Sequence, residues 1–133
     1  MAQITEDYVP YDIAKLLKEK RFDAECKKYY NLKMLTNLYY GCEYVRNRDL
    51  KDEDDCIAPS LGMTMKWLRE VHNCHIYVQA FITTDGLQGY CPFYTKVGDI
   101  FIWQNVLGDD YATAPTYEEA AEAAIKYCLE NLI

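Results

Sequence analysis

With 133 residues, half of them apolar or aromatic, the chain is long enough to close one hydrophobic core without disulfide or metal staples. Its 14 bases against 21 acids leave a net charge of −7, the wrong sign for sequence-independent attachment to a phosphate backbone. No apolar run approaches the roughly 20 residues that cross a bilayer, and the opening MAQITEDYVPYD lacks the basic and apolar regions of a secretory leader.

Asp12 suits the N-cap of a helix over DIAKLLKEKR, in which Ile13, Leu16 and Leu17 share a face. Lys18, Lys20 and Arg21 gather toward its C-terminus, where the helix dipole favours cations. Phe22 is expected to fold back onto the core. Over residues 24–46 the paired tyrosines of KKYYNLKMLTNLYYGCEYV favour strands, while its Leu, Lys and Met favour a helix. Two strands near 28–31 and 38–45 are expected, with a helix from Ala24 to about Leu35 as the alternative. Residues 47–57 form a charged loop and are the best candidate for disorder. The run Asp52-Glu53-Asp54-Asp55 lacks the alternating ligands and central glycine of a calcium loop, so it is read as a solvated turn.

Pro59 suits the first turn of a second helix, with Leu61, Met65, Leu68 and Val71 as the buried stripe and Trp67 beside it. Asn73 is a left-handed stop. From His75 the period becomes two, with Ile76, Val78, Ala80 and Ile82 expected on the core face and His75, Tyr77, Gln79 and Phe81 on the other. Asp85-Gly86 marks a hairpin. The run GYCPFYT is a strand whose Pro92 predicts a sheet edge or a bulge. A third strand is expected at 100–104 and a loop at 107–115. A final helix opens on the capping pair Thr116 and Glu119 and buries Tyr117, Ala120, Ala121, Ala124, Ile125, Cys128 and Leu132. The expected fold is α+β, a single domain in which an antiparallel sheet of three to five strands carries about three helices, mainly on one face.

No phosphate-cradling loop, nucleophile elbow or zinc-protease motif occurs, and Ser60 is the sole serine. Imidazole chemistry is confined to His72 and His75, so His72, Cys74 and His75, with Cys91 as a distant fourth ligand, are the metal candidates. Their H-x-C-H spacing matches neither usual zinc arrangement, and no cofactor, metal or catalytic residue is expected. Six cysteines scattered without a C-x-x-C read as reduced thiols in a cytoplasmic protein. The 13 tyrosines exceed what a small core can satisfy, so several should lie on a surface that another body covers. Tyr90, Tyr94 and Trp103 are the candidate stacking platform.

The segments DIAKLLKEKRFD, CKKYY, APSL with WLREVHNCHIYV, and TYEEAAEAAIKYCLENLI resemble a set of small uncharacterised proteins encoded by phages, prophages and mobile elements of gut Bacteroidales. The resemblance implies an origin and no activity. The acidic charge, the tyrosine excess and the absence of a catalytic motif set the expected function as non-enzymatic: protein–protein binding or self-association, with no membrane attachment and no nucleic acid. The alternatives are an acidic DNA mimic that inhibits a host factor, or a nucleic-acid-binding α-β-β-β-α module from Pro59 onward.

Overall fold

The computed structural model describes residues 4, 6–31, 38–98 and 102–133, the side chains of 38–43 excepted. The fold is α+β, with three helices and two three-stranded antiparallel sheets. The strands thus segregate into two sheets. The chain divides into two compact units, Met1–Ser60 and Leu61–Ile133, and each owns one sheet. No helix among the described residues is long and apolar enough to cross a membrane.

In the first unit, helix α1 (Tyr11–Glu19) buries Ile13, Ala14 and Leu17. Asp12 sits one residue inside the helix, behind Pro10 as N-cap, and its carboxylate accepts the Ile13 N–H at 2.9 Å. Arg21 takes a left-handed conformation (φ 67°) that ends the helix, and Phe22 turns inward to 1% exposure as expected. Strands β1 (Cys26–Tyr30) and β2 (Leu38–Val45) pair antiparallel, so the tyrosine-rich segment takes the strand option. A short strand, β3 (Cys56–Ile57), joins the other edge of β1 and gives the order β2-β1-β3.

The charged stretch is an exposed turn over 51–54, anchored at both ends by buried groups. Asn47 is buried; its amide donates to the Phe22 carbonyl (2.7 Å) and accepts from the Ile57 N–H (2.9 Å). The Lys18 ammonium donates to the main-chain carbonyls of Glu53 (3.0 Å) and Asp55 (2.6 Å). The acidic turn is thus held through its backbone, which a count of side-chain charges does not register.

The second unit runs α2 (Leu61–His72), β4 (Cys74–Thr83), β5 (Gly86–Lys96), β6 (Gln104–Asn105) and α3 (Tyr117–Asn131), the helix–three strands–helix order expected from Pro59 onward. Its strand order is β4-β5-β6, and α2 and α3 pack on each other and on the same hairpin. Of the third strand expected at 100–104, only Gln104 is strand, extended by Asn105; Ile102 and Trp103 are not, and residues 99–101 lie outside the described residues. Helix α3 is capped by Thr116, whose hydroxyl accepts the Glu119 N–H at 3.1 Å. It buries Ala120, Ala121, Ala124, Ile125, Cys128 and Leu129, while Tyr117 stays exposed. On α2 the buried stripe is Leu61, Thr64 and Leu68; Val71 is 59% exposed, contrary to its expected place in the core. Thr64 takes the inward position because it lies three and four residues from Leu61 and Leu68, and position outweighs polarity there. Asn73 (φ 57°) stops α2 as expected.

Pro92 is neither at a sheet edge nor in a bulge. It lies buried in the central strand, opposite Val78. Tyr90 exchanges both backbone bonds with Ala114 (3.0 and 2.8 Å), and Pro92 accepts one from Val106 (3.0 Å). These residues therefore turn their backbone polar groups away from β4. The missing proline N–H falls just beyond the two-residue β6 ladder and interrupts no bond to β4. By the same alternation, Ile76, Val78 and Ala80 direct their N–H and C=O groups to the outer edge of β4, and among the described residues no strand pairs there.

The hairpin's bulge falls between Phe81 and Ile82, opposite Gly89. Gly89 has φ 152°, and a Cβ there would stand 2.7 Å from Thr113 Cβ and 2.9 Å from the Ala114 carbonyl. We expect Gly89→Ala to destabilise the protein by about 2 kcal/mol, seen as a lower urea midpoint; an unchanged midpoint would refute the close approach. Lys18→Met, which keeps the stem and removes the donors, should cost about 1–2 kcal/mol and speed amide exchange over 52–57.

Candidate functional site

Alternation along the β4–β5 hairpin sorts its side chains onto two faces. Cys74, Ile76 and Val78 face the helices, as do Tyr94 and Pro92, across from the last two, and Tyr90. On that side Tyr94 meets Tyr127 of α3 with ring centres 4.7 Å apart, and Tyr90 meets Tyr117 at 6.2 Å. His75, Tyr77, Gln79 and Phe81, with Cys91 and Phe93, face the other way. That second face has no helix over it in the unit, so its apolar side chains are covered only in part.

An aromatic cluster occupies it. Tyr77 stacks on its cross-strand neighbour Phe93 (5.2 Å, 17° between planes), and Trp103 meets Tyr77 edge-on at 4.8 Å. The Tyr77 hydroxyl donates to Gln79 Oε1 at 3.0 Å. Farther along, Phe81 packs against Tyr111 at 5.6 Å. Between the two groups lies an open groove of about 550 Å³, with Cys91 among its lining residues and Trp103, Asp110 and Tyr111 on the loop side. A second recess of about 440 Å³ shares Trp103 and Asp110 and reaches Tyr94 and Tyr127.

The loop side is set by one buried amide. Asn105 donates to the Ala112 carbonyl (2.9 Å) and accepts the Leu107 N–H (2.9 Å), closing the segment on itself. Gly108 supplies a positive φ of 95°, and Asp109 accepts the Tyr111 N–H at 3.1 Å. Asp110 and Tyr111 are thereby presented at the groove, and Tyr111 stays 70% exposed. Asn105, Asp110 and Tyr111 were not legible as site residues. The only sequence signal was an asparagine ahead of a Gly-Asp-Asp turn.

The sequence candidates scatter. Tyr90 and Tyr94 lie on the helix side and Trp103 packs on the opposite face, so the three form no common platform. Tyr94 and Trp103 meet only across the smaller recess. His72 packs edge-on against Trp67 (4.6 Å), Cys74 points into the helix side, where its thiol bonds the His72 carbonyl (3.5 Å), and His75 faces away from Cys74. Cys91 shares the face of His75 rather than that of Cys74. Among the described residues no three His, Cys, Asp or Glu side chains converge as metal ligands would.

Cys26, Cys56, Cys74, Cys91 and Cys128 are free thiols, all buried. Burial raises Cys26 and Cys56 to about 11. Cys128 is pushed up by its hydrogen bond with Cys74 and by burial, and Cys91, in the groove, is raised by burial. A raised thiol stays protonated and is a poor nucleophile. Among the described residues the groove thus offers aromatic faces, one amide and one carboxylate.

Comparison with protein-family models, curated proteins and solved structures gives no match.

The raised thiols and Tyr94, which burial and the Tyr127 hydroxyl lift to about 12, tie stability to alkaline pH. Between the ordinary and the raised value the folded chain keeps a proton that the unfolded chain has lost. This contribution is whole below the ordinary thiol value of 9.0 and is lost as pH rises toward 11 for the thiols and 12 for Tyr94. Calorimetry should show a melting temperature that falls above about pH 9, less steeply in Cys26→Ala/Cys56→Ala. Identical alkaline slopes in the two proteins would contradict the assignment.

Proposed function

We propose that this chain is a non-enzymatic binding protein and that the helix-free face of its second sheet is the surface on which another polypeptide docks. One observation carries the reading. Trp103, Tyr111 and Tyr77 are 45%, 70% and 40% exposed, yet they belong to one ordered aromatic face around a groove. Aromatic side chains on a surface offer large contact area at little cost in conformational entropy, and partly exposed apolar patches of this kind mark docking sites. The abundance of tyrosine then has a use on one face, while the helix side absorbs Tyr90, Tyr94 and Tyr127. The buried free thiols suit a reducing, cytoplasmic setting.

The α-β-β-β-α order does not favour nucleic acid. The second unit carries four bases (Lys66, Arg69, Lys96 and Lys126) against nine acids, and the first turn of α3 presents Glu118 and Glu119. Phosphate contact at that helix end would meet like charge.

The test compares tagged wild type with Trp103→Ala/Tyr111→Ala in affinity capture, with circular dichroism to verify the fold and sedimentation velocity to follow self-association. A partner, or a dimer, lost about tenfold or more in the double variant supports the reading. Equal capture and equal sedimentation by both proteins would reject the groove as the docking surface.

A further inference from the structure

We infer that the groove receives an arginine side chain from an extended segment of another protein, which pairs with the outer edge of β4. This rests on the docking surface proposed above and adds the chemistry of its occupant.

Two independent features meet here. The first is an open strand edge. β4 is ten residues long, and from Ile76 to Thr83 it contains no charged residue and no proline. Natural edge strands are commonly blocked by such residues, and this one is not. Its outward N–H and C=O groups belong to Ile76, Val78 and Ala80, and the groove lies over the same strand at Gln79 and Phe81. A segment added to that edge would form main-chain bonds and send alternate side chains over the aromatic face.

The second feature is charge. Among the described residues Asp110 is the one charged residue lining the groove, no base lines it, and the Asp110 carboxylate makes no ion pair or hydrogen bond. The unit's own bases lie on the helices and at the far end of β5, where Lys96 donates to the Leu132 carbonyl at 2.7 Å. Aromatic faces beside an unpaired carboxylate select a cation on an apolar stem. Arginine fits better than lysine because its planar guanidinium can stack on Trp103 or Tyr111 while its N–H fork bonds Asp110. A purely apolar segment would desolvate Asp110 without compensation. A second copy of this chain fits poorly, because its own β4 has no arginine or lysine to offer and both copies carry a net charge of −7.

The experiment is selection from a displayed random dodecapeptide library against the full-length chain. Selected peptides should share an arginine flanked at alternate positions by β-branched or aromatic residues. The best peptide should bind about tenfold or more weakly to Asp110→Asn, and about tenfold or more weakly when its arginine is replaced by citrulline. It should also slow amide exchange at Ile76, Val78 and Ala80. Selected peptides without a basic residue, binding indifferent to Asp110→Asn, or unprotected β4 amides each overturn the inference. So does failure to select any peptide, or a dimer that protects the same amides. If non-basic peptides are selected and Trp103→Ala abolishes their binding, the docking surface stands and the arginine falls. Peptide binding indifferent to Trp103→Ala removes the surface itself.

Discussion

The register of the β4–β5 hairpin is the constraint on which the second unit depends. Side chains alternate with a period of two, so a slip by one residue would carry Tyr77, Phe81 and Phe93 to the helices and Cys74, Pro92 and Tyr94 to the open face. Three local features hold the register. Asn73, in its left-handed conformation, delivers the chain from α2 into β4. Thr83 closes the hairpin turn through its hydroxyl, which accepts from the Asp85 N–H (3.2 Å) and the Gln88 amide (3.0 Å). Gly89 absorbs the bulge where residues 113–114 cross at close range.

From that register the two faces acquire different work. The helix side is closed by the small residues of α3, which let the helix lie close to the sheet, and by the Tyr94–Tyr127 contact. The open side keeps its aromatic rings because the Asn105-pinned loop leans over them without sealing them. Among the described residues that line the groove, the single carboxylate is that of Asp110, on this loop. Binding of an extended segment would need little rearrangement, since the strand edge, the rings and the loop are already in place.

Much of the fold was legible in advance. The three helices, the β4–β5 hairpin and the left-handed stop at Asn73 follow from strong periodicity and local turn chemistry. Strand β2 was expected at the residues it occupies, because paired tyrosines suit a pleated surface. Two expectations missed. On α2 Thr64 went inward and Val71 outward, and Pro92 entered a central strand, where the neighbouring ladder stops just short of it. The expected core face of β4 also thinned toward the hairpin tip, where Ala80 and Ile82 are exposed.

The α+β class, the element order and a tyrosine-rich, acidic composition can be read from the chain alone, because they depend on interactions within a few residues or on bulk composition. Which aromatics share a surface follows from the folded arrangement alone. Trp103 joined Tyr77 and Phe93 rather than Tyr90 and Tyr94, and Asp110 came to the groove from a loop that Asn105 folds. Such groupings depend on strand register and loop closure across distant residues. Neither leaves a periodic trace in the chain, so the grouping of these aromatics is legible only in the folded protein.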